Sequence, residues 1–336
     1  MSSAPAPEEI ARDATWLVQA LDPAAGVVRL VAMDRDSYRA ASFLDDRLMT
    51  KPFDAQIVPW PDLEEAVSSD LRTDACWIFH IGHVGSTLVS RLLGEIEGVL
   101  AVREPRFLRD LAMAPADVRK RYVAPTAKLM SRTFAPEETA CVKATSFASE
   151  IAPLLVPPGE RALFMYASAR NYVAGILAGE NSVKELHALE AYRRHRLASR
   201  GLTLPPPRND ADRAAAAWAC EMTALEVAAD AMPDRQLAWA DFDRMLASMS
   251  CELARVTALF GFAATDQGLA GIAAGPLMNR YSKDPNFEYS PSLREQLRDQ
   301  ERRLQGRDIE AALAMLRAAS DKSRLLARAL TRAEGN

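Results

Sequence analysis

The segment FHIGHVGSTLVSR, residues 79–91, carries residue types suited to holding phosphate. Gly82 and Gly85 let the backbone come close to a ligand. Ser86 and Thr87 follow at once and open a stretch of helical apolar spacing. Unpaired backbone N–H groups, the positive end of a helix dipole and two hydroxyls would then meet at one point, an arrangement that binds an anion. The same spacing also describes a plain strand-to-helix turn capped by Ser86. The pattern GxxxxGK followed by Ser or Thr, which cradles ATP or GTP, needs a Lys in the loop, and none is present. A kinase or NTPase working on a γ-phosphate is therefore disfavoured. A shorter loop that grips a phosphate without such metal-dependent chemistry is the expectation.

Other residues near this loop could move or stabilise charge. His83 lies within it, and an imidazole beside a bound polyanion is favoured in its charged form; its alternative is a neutral ring bonded to the backbone. Glu104 ends the run GVLAVRE and could accept a proton, or could simply favour a helix start beside Pro105. Lys143 ends TACVK and could stand near a leaving group, or be a solvated strand-end cation. His80, inside the apolar run, reads as a core histidine with a satisfied ring. The late segment MNRYSKDPNF brings Arg280 and Lys283 together ahead of a turn at Asp284–Pro285, either as a basic ligand loop or as a charged surface loop.

Positioning these residues requires strands that stop at them. ACWIFHI ends at the glycine loop, and STLVSRLLGEI places Leu88, Leu92 and Leu93 on one side of a helix. GVLAVRE, TACVKAT, RALFMYAS and RQLAWAD are further short apolar runs, most of them followed by helical stretches. Strands alternating with helices predict an α/β three-layer sandwich around a central parallel sheet. Residues 182–231 are strongly helical, broken once by GLTLPPPRND, and two helices rich in Arg, Glu and Leu are expected after Ser290. The division expected is an N-terminal extension or small cap over 1–70, an α/β domain over 71–290 and a helical tail over 291–336. The first dozen residues, rich in Ala, Pro and Glu, read as loose.

The GSTL core, REP at Arg103–Pro105 and ARN at Ala169–Asn171, in that order, resemble the sulfotransferase family, and more narrowly bacterial sulfotransferase-like proteins. The resemblance runs from about Cys76 to Tyr281. It implies a P-loop kinase-like fold and transfer of a sulfuryl group from 3′-phosphoadenosine 5′-phosphosulfate to a hydroxyl or amine of a small molecule or carbohydrate, leaving 3′,5′-adenosine bisphosphate. It implies that Gly82, Gly85, Ser86 and Thr87 hold the 5′-phosphosulfate, with His83 where the family commonly has Lys or Arg. Arg170 matches the Arg that binds the 3′-phosphate. A family Ser on the next helix is Ala178 here, with Ser182 as a substitute, and Arg280 and Lys283 match a basic loop over the same phosphate. Cytosolic members use a His in a KTH stretch; here the stretch is Lys143, Ala144, Thr145, which favours Glu104 as base, with His83 or Lys143 stabilising the leaving group.

Bulk properties bound the alternatives. The 336 residues are 49% hydrophobic and 26% charged, an ordinary globular mixture. Acidic residues (45) exceed basic ones (41), giving a net charge of -4, which argues against a nucleic-acid partner. Cys76, Cys141, Cys220 and Cys251 are scattered and only four His are present, so no metal site is expected. The acidic N-terminus has no signal-peptide pattern and no apolar run reaches membrane-spanning length, so a cytoplasmic protein is expected, with homo-oligomerisation left open. Two rivals remain: a small-molecule kinase on the same fold, and a non-catalytic nucleotide-binding protein whose Arg-rich tail mediates assembly.

Overall fold

The computed structural model describes residues 5–50, 52–67, 71–279 and 290–335. The five apolar runs form one parallel sheet: β4 (Cys76–His80), β5 (Val99–Arg103), β6 (Thr139–Lys143), β7 (Arg161–Tyr166) and β8 (Gln236–Asp241), in spatial order β5-β6-β4-β7-β8. Every residue of β4 is buried, as expected where helices cover both faces of a sheet. The protein is thus an α/β fold with a central parallel sheet.

Ahead of it, β1 (Trp16–Asp22), β2 (Val27–Ala32) and β3 (Ala55–Pro59) make a small antiparallel sheet in sequence order. The β1–β2 turn is closed by Asp22, whose carboxylate accepts the N–H groups of Ala24 and Ala25 at 3.0 Å. Arg103, buried at the end of β5, donates to the carbonyls of Tyr38 and Ala41, the latter at 2.8 Å. Those bonds fasten residues 38–41 beside the sheet's carboxyl edge.

The helices that position the site are α1 (Ser86–Leu93), α2 (Arg106–Met113), α3 (Ala169–Leu177), α4 (Glu180–Ser199), α5 (Asp210–Asp230), α6 (Phe242–Ala247), α7 (Pro291–Leu304), α8 (Gly306–Ser320) and α9 (Arg324–Glu334). Helix α5 is buried over most of its length, and Trp218 on it donates its indole N–H to the Ala167 carbonyl at 2.9 Å. Two of its buried carboxylates take arginines from other helices: Glu221 takes Arg196 at 2.6 and 3.0 Å, and Glu226 takes Arg332 at 2.5 Å and Arg328 at 2.7 Å. The second pair holds α9 against α5.

Two expectations are corrected. Residues Pro7–Arg12 are helical rather than loose, because Ile10 is buried in the core and Glu9 reaches back to the Ala6 N–H at 3.0 Å. The tail is three helices rather than two, since Ser323 accepts the Leu326 N–H and restarts the chain as α9. Buried apolar residues form one contiguous cluster from Ile10 to Ala333. Among the described residues no helix is long and apolar enough to cross a membrane.

Candidate active site

Chain connections leave β4 toward β5 on one side of the sheet and later cross to β7 on the other. In parallel sheets such a reversal opens a crevice at the carboxyl ends of the strands. Here it is a cavity of about 1130 Å³, large enough for two ligands side by side. Its walls come from the end of β1, the segment after β2, the glycine loop, the start of α1 and one face of α2. The end of β6, one face each of α3 and α4, the first residue of α6 and two turns of α7 complete it.

The loop is tightly wound: Gly82, His83 and Gly85 all have left-handed φ (79°, 54° and 64°). A Cβ on Gly85 would run into the Phe242 ring, so that position requires glycine twice over, for conformation and for space. Gly85 is the N-cap of α1 with no side-chain hydrogen bond, and the hydroxyls of buried Ser86 and Thr87 stand at the helix start. Ser86 therefore does not cap the helix, and the first N–H groups are left to the cavity, where the dipole favours an anion. Among the described residues the non-glycine positions with positive φ are His83 and Glu104, and both line this cavity. Backbone strain of this kind gathers at functional sites.

Glu104 leaves β5 with its N–H on the Lys143 carbonyl at 2.8 Å, next to the β5–β6 register pair Arg103–Lys143. Its carboxylate meets the Lys143 ammonium directly, with His80 Nε2 3.4 Å from the same oxygen and Arg47 3.8 Å from the other. Burial alone would raise the Glu104 carboxyl, but the Lys143 charge and the contacts of His80 and Lys143 outweigh it and hold it far below the usual carboxylate range. Lys143 is 1% exposed, not a solvated strand end. Arg47 lies over the Phe43 ring at 3.2 Å, so the segment after β2 contributes directly to this corner.

Ser182, Glu185, Leu189 and Arg193 share the inner face of α4. Ser182 Oγ lies 3.3 Å from His83 Nδ1, and Glu185 lies 3.5 Å from Nε2. Burial raises the Glu185 carboxyl, yet His83 and Arg193 bring it down to about 2. His83 is thus bracketed by side chains rather than bonded only to backbone.

Arg170 does not face the cavity. Tyr172 and Gly175 on α3 do, and a residue two positions from Tyr172 lies roughly 200° around the helix. The Arg170 guanidinium instead pairs with Glu310 of α8, one of its bonds being 3.0 Å. Cations at that end come from α7: Arg294 and Arg298 line the cavity, both held by Asp243, the latter at 2.9 Å. Arg294 lies 4.9 Å over the Phe242 ring that covers Gly85. Sequence reasoning missed both arginines because α7 reads as a solvated helix. Arg280 and Lys283 fall outside the described residues. Lining charges are seven Lys or Arg against five Asp or Glu, a cationic excess in an acidic protein. Among the described residues no group of three or more His, Cys, Asp or Glu is placed to hold a metal ion.

No family model matches the sequence, and no curated protein matches it. Solved structures with a similar course of the chain include a sulfotransferase domain from the curacin biosynthetic pathway, at 11% identity and TM-score 0.42, spanning 69% of this chain and 91% of that one. A second is a sulfotransferase domain from the Synechococcus PCC 7002 olefin synthase, at 12% identity and TM-score 0.39, spanning 67% and 86%. A third is mouse sulfotransferase SULT7A1 complexed with PAP, at 10% identity and TM-score 0.34, spanning 73% and 89%.

Proposed function

We propose that this protein is a sulfotransferase that uses 3′-phosphoadenosine 5′-phosphosulfate and acts on a hydroxyl or amine of a small molecule or carbohydrate. The observation that carries the reading is the uncapped start of α1 in a cavity where Glu104, Lys143 and His80 converge from three neighbouring strand ends. The ordered motifs GSTL, REP and ARN support it. When bound, the donor supplies an activated sulfuryl group and a phosphate leaving group.

The residues present fit such a group. The N–H groups of α1 with Ser86 and Thr87 take the 5′ end. Arg298, 5% exposed and with an Nε lacking a partner, and Arg294 offer cations for a second phosphate. In this proposal they take the part that the motif resemblance assigns to Arg170. Glu104 receives the proton of the acceptor, Lys143 stabilises negative charge beside it, and His83, oriented by Ser182 and Glu185, supplies the cation that the loop lacks. In the ligand-free pair Glu104 is a weak base, because Lys143 neutralises it. Any anion that competes for the Lys143 ammonium raises the carboxylate's proton affinity, so the base strengthens as the site fills.

Calorimetric titration with 3′,5′-adenosine bisphosphate, and separately with ATP and magnesium, tests this. Binding of the bisphosphate near micromolar without metal, weakened by Arg298→Ala, is expected. Binding of ATP alone would replace the reading with a kinase.

A further inference from the structure

His80 was expected to be a core histidine with a satisfied ring, and it is buried, yet only half its ring is satisfied. It is the last residue of β4, 4% exposed, and lines the cavity. The Gly82 N–H donates to Nδ1 at 2.9 Å. A ring nitrogen that accepts cannot carry the proton, so the neutral ring holds it on Nε2. Burial, then the nearby Lys143 charge, lowers its pKa and keeps the ring neutral. Nε2 is buried and stands 3.4 Å from Glu104 Oε1, with the Ala144 backbone also close to the ring, and has no partner of full hydrogen-bond geometry. A buried N–H left short of its acceptor is costly unless the site needs it there.

We propose that His80 is a positioning residue whose two ring nitrogens set the phosphate loop and the Glu104 carboxylate in one register. This rests on the sulfotransferase reading for the role of Glu104. Nδ1 holds the backbone of Gly82, where the loop turns into left-handed φ of 79°. Nε2–H faces the carboxylate on the neighbouring strand end, itself held at φ 52°. One rigid ring therefore links two strained backbone positions, one on the donor side of the cavity and one on the acceptor side. A base must sit within a fraction of an ångström of its target, and such ties are how a fold achieves it.

The two nitrogens can be removed separately. In His80→Asn the amide oxygen can still accept from Gly82, while no donor reaches Glu104. In His80→Gln the amide nitrogen reaches toward Glu104, while the Gly82 bond is lost. Expected for the Asn variant is bisphosphate affinity within about threefold of wild type with kcat lower by roughly 10- to 100-fold, the range seen when a supporting bond is removed. Expected for the Gln variant is the reverse: affinity weakened about tenfold, kcat at saturation within a few-fold. Amide exchange of Gly82, measured on ligand-free protein, should stay slow in the Asn variant and become fast in the Gln variant. Parallel losses in both variants, or no change in either, would overturn the proposal, as would Gly82 exchange that ignores the substitutions. If wild type neither binds the bisphosphate nor turns over, the sulfotransferase reading falls on its own, and Gly82 exchange still decides whether His80 holds the loop.

Discussion

Replacing Lys143 by Met tests the electrostatics of the site most directly. Lys143 is 1% exposed and its ammonium lies on the Glu104 carboxylate, itself 14% exposed. Removing one partner of a buried ion pair strands the other charge, at a cost of about 3–5 kcal/mol. His80 at 3.4 Å and Arg47 at 3.8 Å remain beside the carboxylate, which moves the expected loss to about 2–3 kcal/mol at pH 7. Against a total stability on the order of 5–15 kcal/mol, urea unfolding resolves that easily. The sign with pH follows from the direction of the shift. In the wild type the folded-state pKa of Glu104 is depressed, so its stabilisation is present above the unfolded value, roughly 4.3, and fades as pH falls toward the folded one. In Lys143→Met burial dominates and Glu104 takes up a proton at higher pH, which relieves the stranded charge. The deficit should therefore be largest near pH 7 and shrink as pH falls toward 5. Adding Glu104→Gln to Lys143→Met should restore most of the loss. A single variant within about 0.5 kcal/mol of wild type, the ordinary range for surface changes, or a deficit flat with pH, would refute the account.

Gly85→Ala should abolish bisphosphate binding by calorimetry, because the new Cβ meets the Phe242 ring and the left-handed backbone adds about 1–2 kcal/mol of strain. Arg298→Ala should weaken that binding at least tenfold, while Arg170→Ala, which only frees Glu310 at the surface, should leave it within twofold. Glu185→Gln removes the carboxylate 3.5 Å from His83 Nε2 that orients the ring, so kcat at saturating donor should fall by roughly 10- to 100-fold. Glu104→Gln should lower kcat by 10²-fold or more without weakening bisphosphate binding, and near-normal turnover would remove it as the base.

Local rules carried the reading of the sheet. Each of the five apolar runs is short, and four of them are closed by a charged or glycine residue, which is how strands covered on both faces appear in a sequence. The loop was legible for the same reason, since Gly82, Gly85, Ser86 and Thr87 are contiguous and their chemistry is local. Glu104 and Lys143 were legible one at a time, as residues ending their strands.

Their pairing was not, because it depends on β5 and β6 being neighbours in parallel register, with Arg103 opposite Lys143. Arg170 shows the limit of motif position: sequence placed it at the start of the right helix, but helical phase and Glu310 turned it outward. Arg294 and Arg298 belong to a helix that reads as a solvated face and lies some fifty residues beyond β8; only packing against α3 and the Asp243 carboxylate brings them to the cavity. His80 makes the same point within one residue. Its place in an apolar run announced burial, while the partners of its two nitrogens were decided by a loop turn and a neighbouring strand. Sequence alone determined which residues could do chemistry and which elements carry them. Tertiary structure decided which of them meet, because charge pairing and helical phase act across distances in space that the order of residues does not record.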